Sequence, residues 1–366
     1  LHTWLRRQRQ MCIRDRSMRI SFTKHPLVLA IAGCISAQAS AEGANPPIEE
    51  IKIWGTEVKA SSLDLGEEAI AIRQADHISD LLRFIPGVDV GGAHSLNQRI
   101  TIRSLDDKDL DVRIDGAVQN TYMFHHMGNL QIHADILREA NIDVGNNSVI
   151  SGGLGGVARF KTRSAKDMLE DGSQFGARFN ATIADNASER ASITAYGQLT
   201  DSIDVLGYIN RVESDNYEVG GGEIKDQDGK VLPNTDGTVR GLEGSLTDAL
   251  IKVGFDITDN QRIKVGYEAY KDEGDYSARP DMGLATDMAI GQFLSTDGIS
   301  QLYPTTFTRD TATINYDADF DHLKIEAVVF QNISTLEREE AYFWRGSLVE
   351  EFKEGEASNT GLSVLL

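Results

Sequence analysis

The sequence predicts a compact α+β domain followed by an incomplete antiparallel transmembrane β-barrel (all-β). Three observations predict it: an export signal near the N-terminus, a mixed helix-and-strand pattern over residues 76–165, and, after residue 170, repeated alternating segments of about ten residues.

The export signal is read first. Leu27 to Ile35 is an apolar run preceded by Arg19, Lys24 and His25 and followed by Ala39-Ser40-Ala41. A basic stretch, an apolar stretch and a small-x-small cleavage pattern in that order are the grammar of a secretory signal, here starting at Met18. The run falls short of the roughly 18 apolar residues that a spanning helix needs. Ile31-Ala32-Gly33-Cys34 also fits a lipoprotein processing site, at which Cys34 would be lipidated. Residues 1–17 are too basic and polar for either signal and are expected to be a non-native or mis-annotated leader. The expected division is therefore 1–17 leader, 18–41 signal peptide, 42–60 extended linker, 61–168 α+β domain and 169–366 barrel segment.

Both cysteines, Cys12 and Cys34, lie in this leader region, so an exported chain has no disulfide or thiolate chemistry, as suits an oxidising compartment. The formal net charge of −20 becomes more negative once the basic leader is removed. Nucleic acid is excluded as a partner, because neutralising phosphates requires a basic surface.

Residues 42–50 carry a Pro-Pro pair that cannot enter a helix or a central strand, and Ile51-Lys52-Ile53-Trp54-Gly55-Thr56 follows as a short alternating stretch. That stretch suits either a first strand or a strand added to a partner's sheet edge. Ile78 to Phe84 reads as a short helix with Asp76 as a possible N-cap, stopped by Pro86-Gly87. Val88 to Val90, Ile100 to Ile102 and Leu110 to Ile114 alternate as strands, and Asp115-Gly116 makes a tight turn. Ala134 to Glu139 reads as a helical turn and Ala140 to Val144 as a strand. The glycines of 152–156 then lead into Val157 to Phe160.

From residue 170 the alternating segments are 175–183, 191–199, 203–212, 249–257, 262–270, 311–320 and 323–332, with up to two more in 340–365. Residues 185–188, 258–260 and 319–322 read as tight turns, whereas 214–246 and 271–305 are long, polar and glycine-rich. Alternation alone fits a soluble sandwich as well as a membrane barrel. The export signal and the long loops favour the barrel, since structureless loops of that length are uncommon in compact soluble domains. Seven to nine strands cannot close around a folded domain, which takes about 22, so the barrel is expected to be incomplete in this sequence.

Four ordered segments carry a resemblance. Leu81-Leu82-Arg83-Phe84-Ile85-Pro86-Gly87-Val88 resembles the LLRxxPGV signature of TonB-dependent receptor plugs, and Val112-Arg113-Ile114-Asp115-Gly116-Ala117-Val118-Gln119 resembles their VxVDGxxQ. Ile136 to Ile142 is similar to LIKRVEI, and Gly153-Leu154-Gly155-Gly156-Val157 is similar to GALGGV. Pro86, Gly87, Asp115, Gly116, Gly155 and Gly156 are thus the plug-motif residues, and Glu49, Glu50, Ile51, Lys52 and Ile53 lie in a stretch, 48–56, similar to the TonB box and its flank. The family's IRG reads Ile102-Arg103-Ser104 here, and its RGP segment is replaced by Gly145-Asn146-Asn147-Ser148.

Residues 161–169 further resemble the TKDAKDLL stretch of the haem and haemoprotein receptor branch. In that branch a plug histidine, ten residues after the aspartate of DGxxQ, ligates the haem iron; here that position is His125, followed by His126. Neutral imidazole suits axial ligation, and Tyr122, Met123, Phe124 and Met127 offer apolar surface to a porphyrin face.

The resemblance implies an α+β plug domain in an outer-membrane barrel surrounded by lipid, and energised import of haem or haem-derived iron. TonB of the energy-transducing complex would pair with the box, haem or a haemoprotein would be cargo rather than a permanent cofactor, and the receptor would be no enzyme. Ferric-siderophore uptake, with Tyr217, Tyr276 and Arg279 as loop groups, is the alternative within transport. A passive barrel or adhesin without energy coupling is the alternative from another class.

Overall fold

A computed structural model describes residues 58–59, 62–73, 75, 78–91, 94–119, 127–128, 130–143, 155–184, 188–225, 228–231, 237–277 and 302–365. The first part contains β1 (Val58–Lys59), β2 (Ser62–Leu65), α1 (Glu67–Arg73), α2 (Ile78–Leu82), β3 (Val88–Gly91), β4 (Arg99–Ile102), β5 (Leu105–Asp106), β6 (Asp111–Ile114), β7 (Ala117–Val118), β8 (Leu137–Asp143), β9 (Val157–Thr162) and α3 (Ala165–Met168). Six of these strands form one sheet in the order β1-β2-β8-β9-β6-β7, and β3-β4-β5 form another. Within the six-stranded sheet β6 runs parallel to β9, with Asp111 opposite Val157 and Ile114 opposite Phe160.

One apolar core ties the two sheets and helices α1 and α2 together. Leu81 and Leu82 of α2, Ile100 and Ile102 of β4, Val112 of β6, Ile142 of β8 and Phe160 of β9 are all buried in it. The alternation of the strands supplies one inward side chain every second residue, so β4, β6, β8 and β9 each contribute two or three groups to that core.

The turns follow from sequence chemistry. Ile85-Pro86-Gly87-Val88 closes with Val88 N–H donating to Ile85 O at 3.1 Å and Gly87 at φ +82°, a type II turn with proline and glycine where that turn favours them. Asp115 and Gly116, at φ +48° and +87°, join β6 to β7 through the mirror-image turn that matches strand twist. Arg103 and Ser104 join β4 to β5 at φ +48° and +70°, so two side-chain-bearing residues sit in the left-handed region where the family motif carries a glycine.

Two expectations for this part are corrected. The helical turn over 134–139 is a single 3₁₀ turn at Ala134–Ile136, because the strand takes over at Leu137, three residues early, and Ala140 and Ile142 alternate with it into the core. Helix α1 was not expected; its apolar face is narrow, with Ile70 buried against the core and Ile72 exposed.

The second part is a single antiparallel sheet of β10 (Phe175–Ala184), β11 (Ser188–Thr200), β12 (Ile203–Ser214), β15 (Gly244–Thr258), β16 (Gln261–Ser277), β17 (Leu302–Phe320), β18 (Leu323–Trp344) and β19 (Ser347–Leu365), paired in sequence order. A small hairpin of β13 (Tyr217–Glu218) and β14 (Thr238–Val239) lies between β12 and β15. All seven expected strands are present, but 323–332 continues to Trp344 and 347–365 is one strand, so the region offered as two holds one. The links between β11 and β12, β15 and β16, and β17 and β18 are two residues long and share one end of the sheet. The strand ends that flank 185–187, 215–243, 278–301 and 345–346 share the other end. Residues 185–187 of the tight turn expected at 185–188 lie outside the described residues.

The two faces of this sheet decide between barrel and sandwich. One register row runs Val205, Val253, Val265, Ile314, Val329 and Leu362 across six strands, and it points away from the first part. Val265, Ile314 and Leu362 are 48%, 52% and 70% exposed. The opposite face presents Lys252, Glu268, Arg309, Thr313 and Asn332, all buried against the α+β domain or one another. A soluble sandwich buries its apolar face; apolar outside and polar inside is the pattern of a membrane barrel. Among the described residues no helix is long and apolar enough to cross a membrane.

Candidate functional site

The α+β domain seats on the polar face of the sheet through its motif turns. Asp115 sits in the left-handed β6–β7 turn, which aims its carboxylate at the wall. It accepts from Thr162 N–H at 2.9 Å, from Thr162 Oγ1 at 2.6 Å and from Lys252 Nζ at 2.8 Å. Burial would push the Asp115 carboxyl up, but the Lys252 ammonium and the Thr162 bonds outweigh it and hold the group below the usual carboxylate range. The wall also grips the rest of the motif, at two backbone carbonyls and one side-chain amide. Asn315 donates to Asp115 O at 2.8 Å, Asn359 donates to Val118 O at 3.1 Å, and Asn332 donates to Gln119 Oε1 at 2.9 Å.

Gly116 permits this closeness to the wall, and Gly155 permits close packing within the α+β domain. A Cβ on Gly116 would lie 2.9 Å from Val328 Cγ1, and one on Gly155 would lie 2.7 Å from Leu110 Cδ2. Ala117, Val328 and Phe330 form a small apolar cluster at the same contact. These residues are a docking joint, which explains the VRIDGAVQ segment without any ligand.

A second joint centres on Asp135, just after the 3₁₀ turn begins. Its carboxylate accepts from Arg178 at 2.7 Å, Asn180 at 3.0 Å and Ser192 Oγ at 2.6 Å. Burial works to raise the Asp135 carboxyl and is outweighed by these partners, so it titrates below its ordinary range. His133 accepts from Asp135 N–H through Nδ1 at 3.2 Å, and its Nε2 faces Arg190 at 3.4 Å. Burial, and next the Arg190 guanidinium, hold His133 neutral, with its pKa lowered to about 4.

A third joint lies toward the strand ends that flank 215–243 and 278–301. The His94 ring stacks on Tyr276 with centroids 4.5 Å apart and planes 10° from parallel. Tyr276 Oη donates to Asp272 at 2.7 Å, and Ser95 Oγ donates to Tyr276 Oη at 3.4 Å. Below this stack Leu96 and Met127 are buried with Tyr270, Phe307 and Leu336. His94 is neutral, with burial and then Arg338 holding it down at about 3 against a backbone contact at Ser277. Sequence reasoning missed His94, an isolated histidine after a glycine pair with no motif around it.

The sequence-predicted ligand residues Tyr122, His125 and His126 lie outside the described residues, as do the whole box stretch 48–56 and Arg279. What flanks them is described. Gln119 is pinned by Val112 O at 2.8 Å and by Asn332, and Met127 is fully buried, with Gly128 N–H donating to Leu96 O at 3.0 Å. Tyr276, considered above as a loop group, is instead a buried wall residue whose hydroxyl is engaged by Asp272. The first described residues after the box, in β1, form the outer edge of the six-stranded sheet.

Comparison with known proteins agrees with this architecture. The family model "TonB-dependent Receptor Plug Domain" matches residues 56–157. The chain is 28% identical over 249 residues to "Heme transporter BhuA" of Brucella suis, covering 67% of this chain and 35% of that protein. It therefore spans about a third of the length of this curated relative. Among solved structures, the FrpB iron transporter of Neisseria meningitidis superposes with a TM-score of 0.65 at 18% identity, over 79% of this chain and 43% of that one. The ferric enterobactin receptor PfeA of Pseudomonas aeruginosa superposes with a TM-score of 0.58 at 14% identity, over 84% and 46%.

Proposed function

We propose that this chain, which belongs to the TonB-dependent receptors of the bacterial outer membrane, serves the energised import of haem or haem-derived iron. The observation that carries the reading is the likeness to a haem transporter over two thirds of the chain, joined to the histidine pair of the segment between Gln119 and Met127. His125 is the iron ligand in this reading, with His126 beside it and Tyr122 on the porphyrin face. Haem is cargo and not a resident cofactor.

The chemistry follows from the site's parts. A neutral imidazole donates a lone pair to ferric iron, and the apolar neighbours Met123 and Phe124 shield the porphyrin. Binding energy spent at that segment is felt at its two pinned ends, and so at the joints of Asn332 and of Leu96 with Met127. TonB pairs with Glu49 to Ile53 as an added strand in the periplasm and supplies the force that shifts the plug. The receptor makes and breaks no covalent bond.

Ferric-siderophore import remains the second reading, because PfeA shares the fold. The test is growth with haem as the sole iron source for the receptor carrying His125→Ala and His126→Ala. Loss of growth at unchanged surface level is expected. Unchanged growth on haem overturns the haem assignment of this segment.

A further inference from the structure

Between the joints, the polar face of the wall carries three side chains with nothing to bond. Tyr208 and Asn210 stand on the inward face of β12, two residues apart, and Asp248 of β15 is the register partner of Asn210. Directly opposed residues place their Cβ atoms roughly 5 Å apart, so Asn210 and Asp248 share one small space. Exposure is 4% for Tyr208, 0% for Asn210 and 1% for Asp248. The Tyr208 hydroxyl, both polar atoms of the Asn210 amide and both Asp248 oxygens make no hydrogen bond.

A buried carboxylate without partners is among the least favourable arrangements in a protein, and three orphaned groups side by side need a common explanation. No neighbouring charged group bonds any of the three directly. Arg309, two strands along the same row, donates to Glu268 at 2.9 Å through one amino group, keeps its Nε and other amino group unbonded, and lies over the ring of Tyr270, which stands between it and Asp248. On the other side of the row Ser192 donates to the plug's Asp135, itself paired with Arg178 at 2.7 Å. Arg190 donates to Ala75 O and Thr182 Oγ1. Asp248 is left with a carboxyl group that no neighbour bonds, beside the unbonded amide of Asn210 and the unbonded phenol of Tyr208.

We propose that Tyr208, Asn210 and Asp248 bind an alkali cation, of the sodium class, between plug and wall. One carboxylate balances one positive charge, and the donors are hard oxygens of the kind that such ions take. The site needs no cargo, so it stands independently of the haem reading.

The test uses the purified receptor in detergent, melted in sodium chloride and in tetramethylammonium chloride at equal ionic strength. Removing sodium should lower Tm by about 2–4 °C for an ion held well below its working concentration. Asp248→Asn should melt at the same temperature in both salts. Should that variant fail to fold, Asn210→Ala and Tyr208→Phe should each shrink the sodium response. Crystals soaked in thallium(I) should show an anomalous peak in bonding contact with Asp248 and Asn210. Equal melting of the unaltered protein in both salts, or water peaks alone at the three residues, overturns the proposal.

Discussion

Replacing Lys252 by methionine removes the wall cation that bonds the Asp115 carboxylate while keeping most of its side-chain volume. The two groups meet at 2.8 Å with side chains 7% and 15% exposed, so water can replace little of what is lost. Breaking one side of such a buried pair costs about 3–5 kcal/mol, and the surviving Thr162 bonds argue for the lower part of that range. Removing both charges, with Asp115→Asn added, should cost less, about 1–2 kcal/mol, because no uncompensated charge remains. The pH dependence gives a second handle. In the unaltered protein the Asp115 carboxyl titrates below its ordinary 3.8, so its stabilisation is complete above that value and is lost as pH falls through the lowered one. Without Lys252, burial becomes the dominant cause and raises the carboxyl, which the folded state then prefers protonated. The deficit of Lys252→Met should therefore be largest at neutral pH and shrink on acidification. Scanning calorimetry of the receptor in detergent at two pH values measures this. A deficit below about 1 kcal/mol, or one that ignores pH, refutes the reasoning.

Three further outcomes are expected. Ser104→Gly relieves a left-handed backbone at φ +70° and should stabilise the plug by roughly 1 kcal/mol, read as a higher melting temperature. Val265→Arg places a charge at the centre of the apolar row and should cost about 2–4 kcal/mol of insertion into lipid vesicles, whereas the same change at inward Thr313 should leave insertion largely unaffected. His133, held at about 4 against an ordinary 6.5, stays neutral where the unfolded chain takes a proton. Its contribution is full above about pH 6.5 and fades as pH falls toward 4, so His133→Gln should flatten the stability profile in that window.

The plug was legible because its signals are local. Pro86-Gly87 and Asp115-Gly116 dictate turns by backbone chemistry alone, and both turns form as those residues require. Helix α1 was not legible, since among its described side chains Ile70 is buried and Ala69 partly buried against the core while Ile72 is exposed, and no 3.6-residue stripe marks it. Strand centres could be read from period-2 alternation, but which face meets lipid could not, because alternation has no sign. Val265 outward and Glu268 inward became distinguishable only once the α+β domain was seen to lie against the polar side. The docking partners were invisible for the same reason. Lys252 lies 137 residues from Asp115, and no spacing rule links them. The orphaned trio at Tyr208, Asn210 and Asp248 likewise exists only through strand register.

The most direct test of the account is uptake of radiolabelled haem by cells expressing the receptor with and without residues 48–56. Deletion should abolish accumulation inside the cell while leaving haem bound at the surface unchanged. Undiminished uptake after deletion would contradict energised import through this plug and favour a passive barrel.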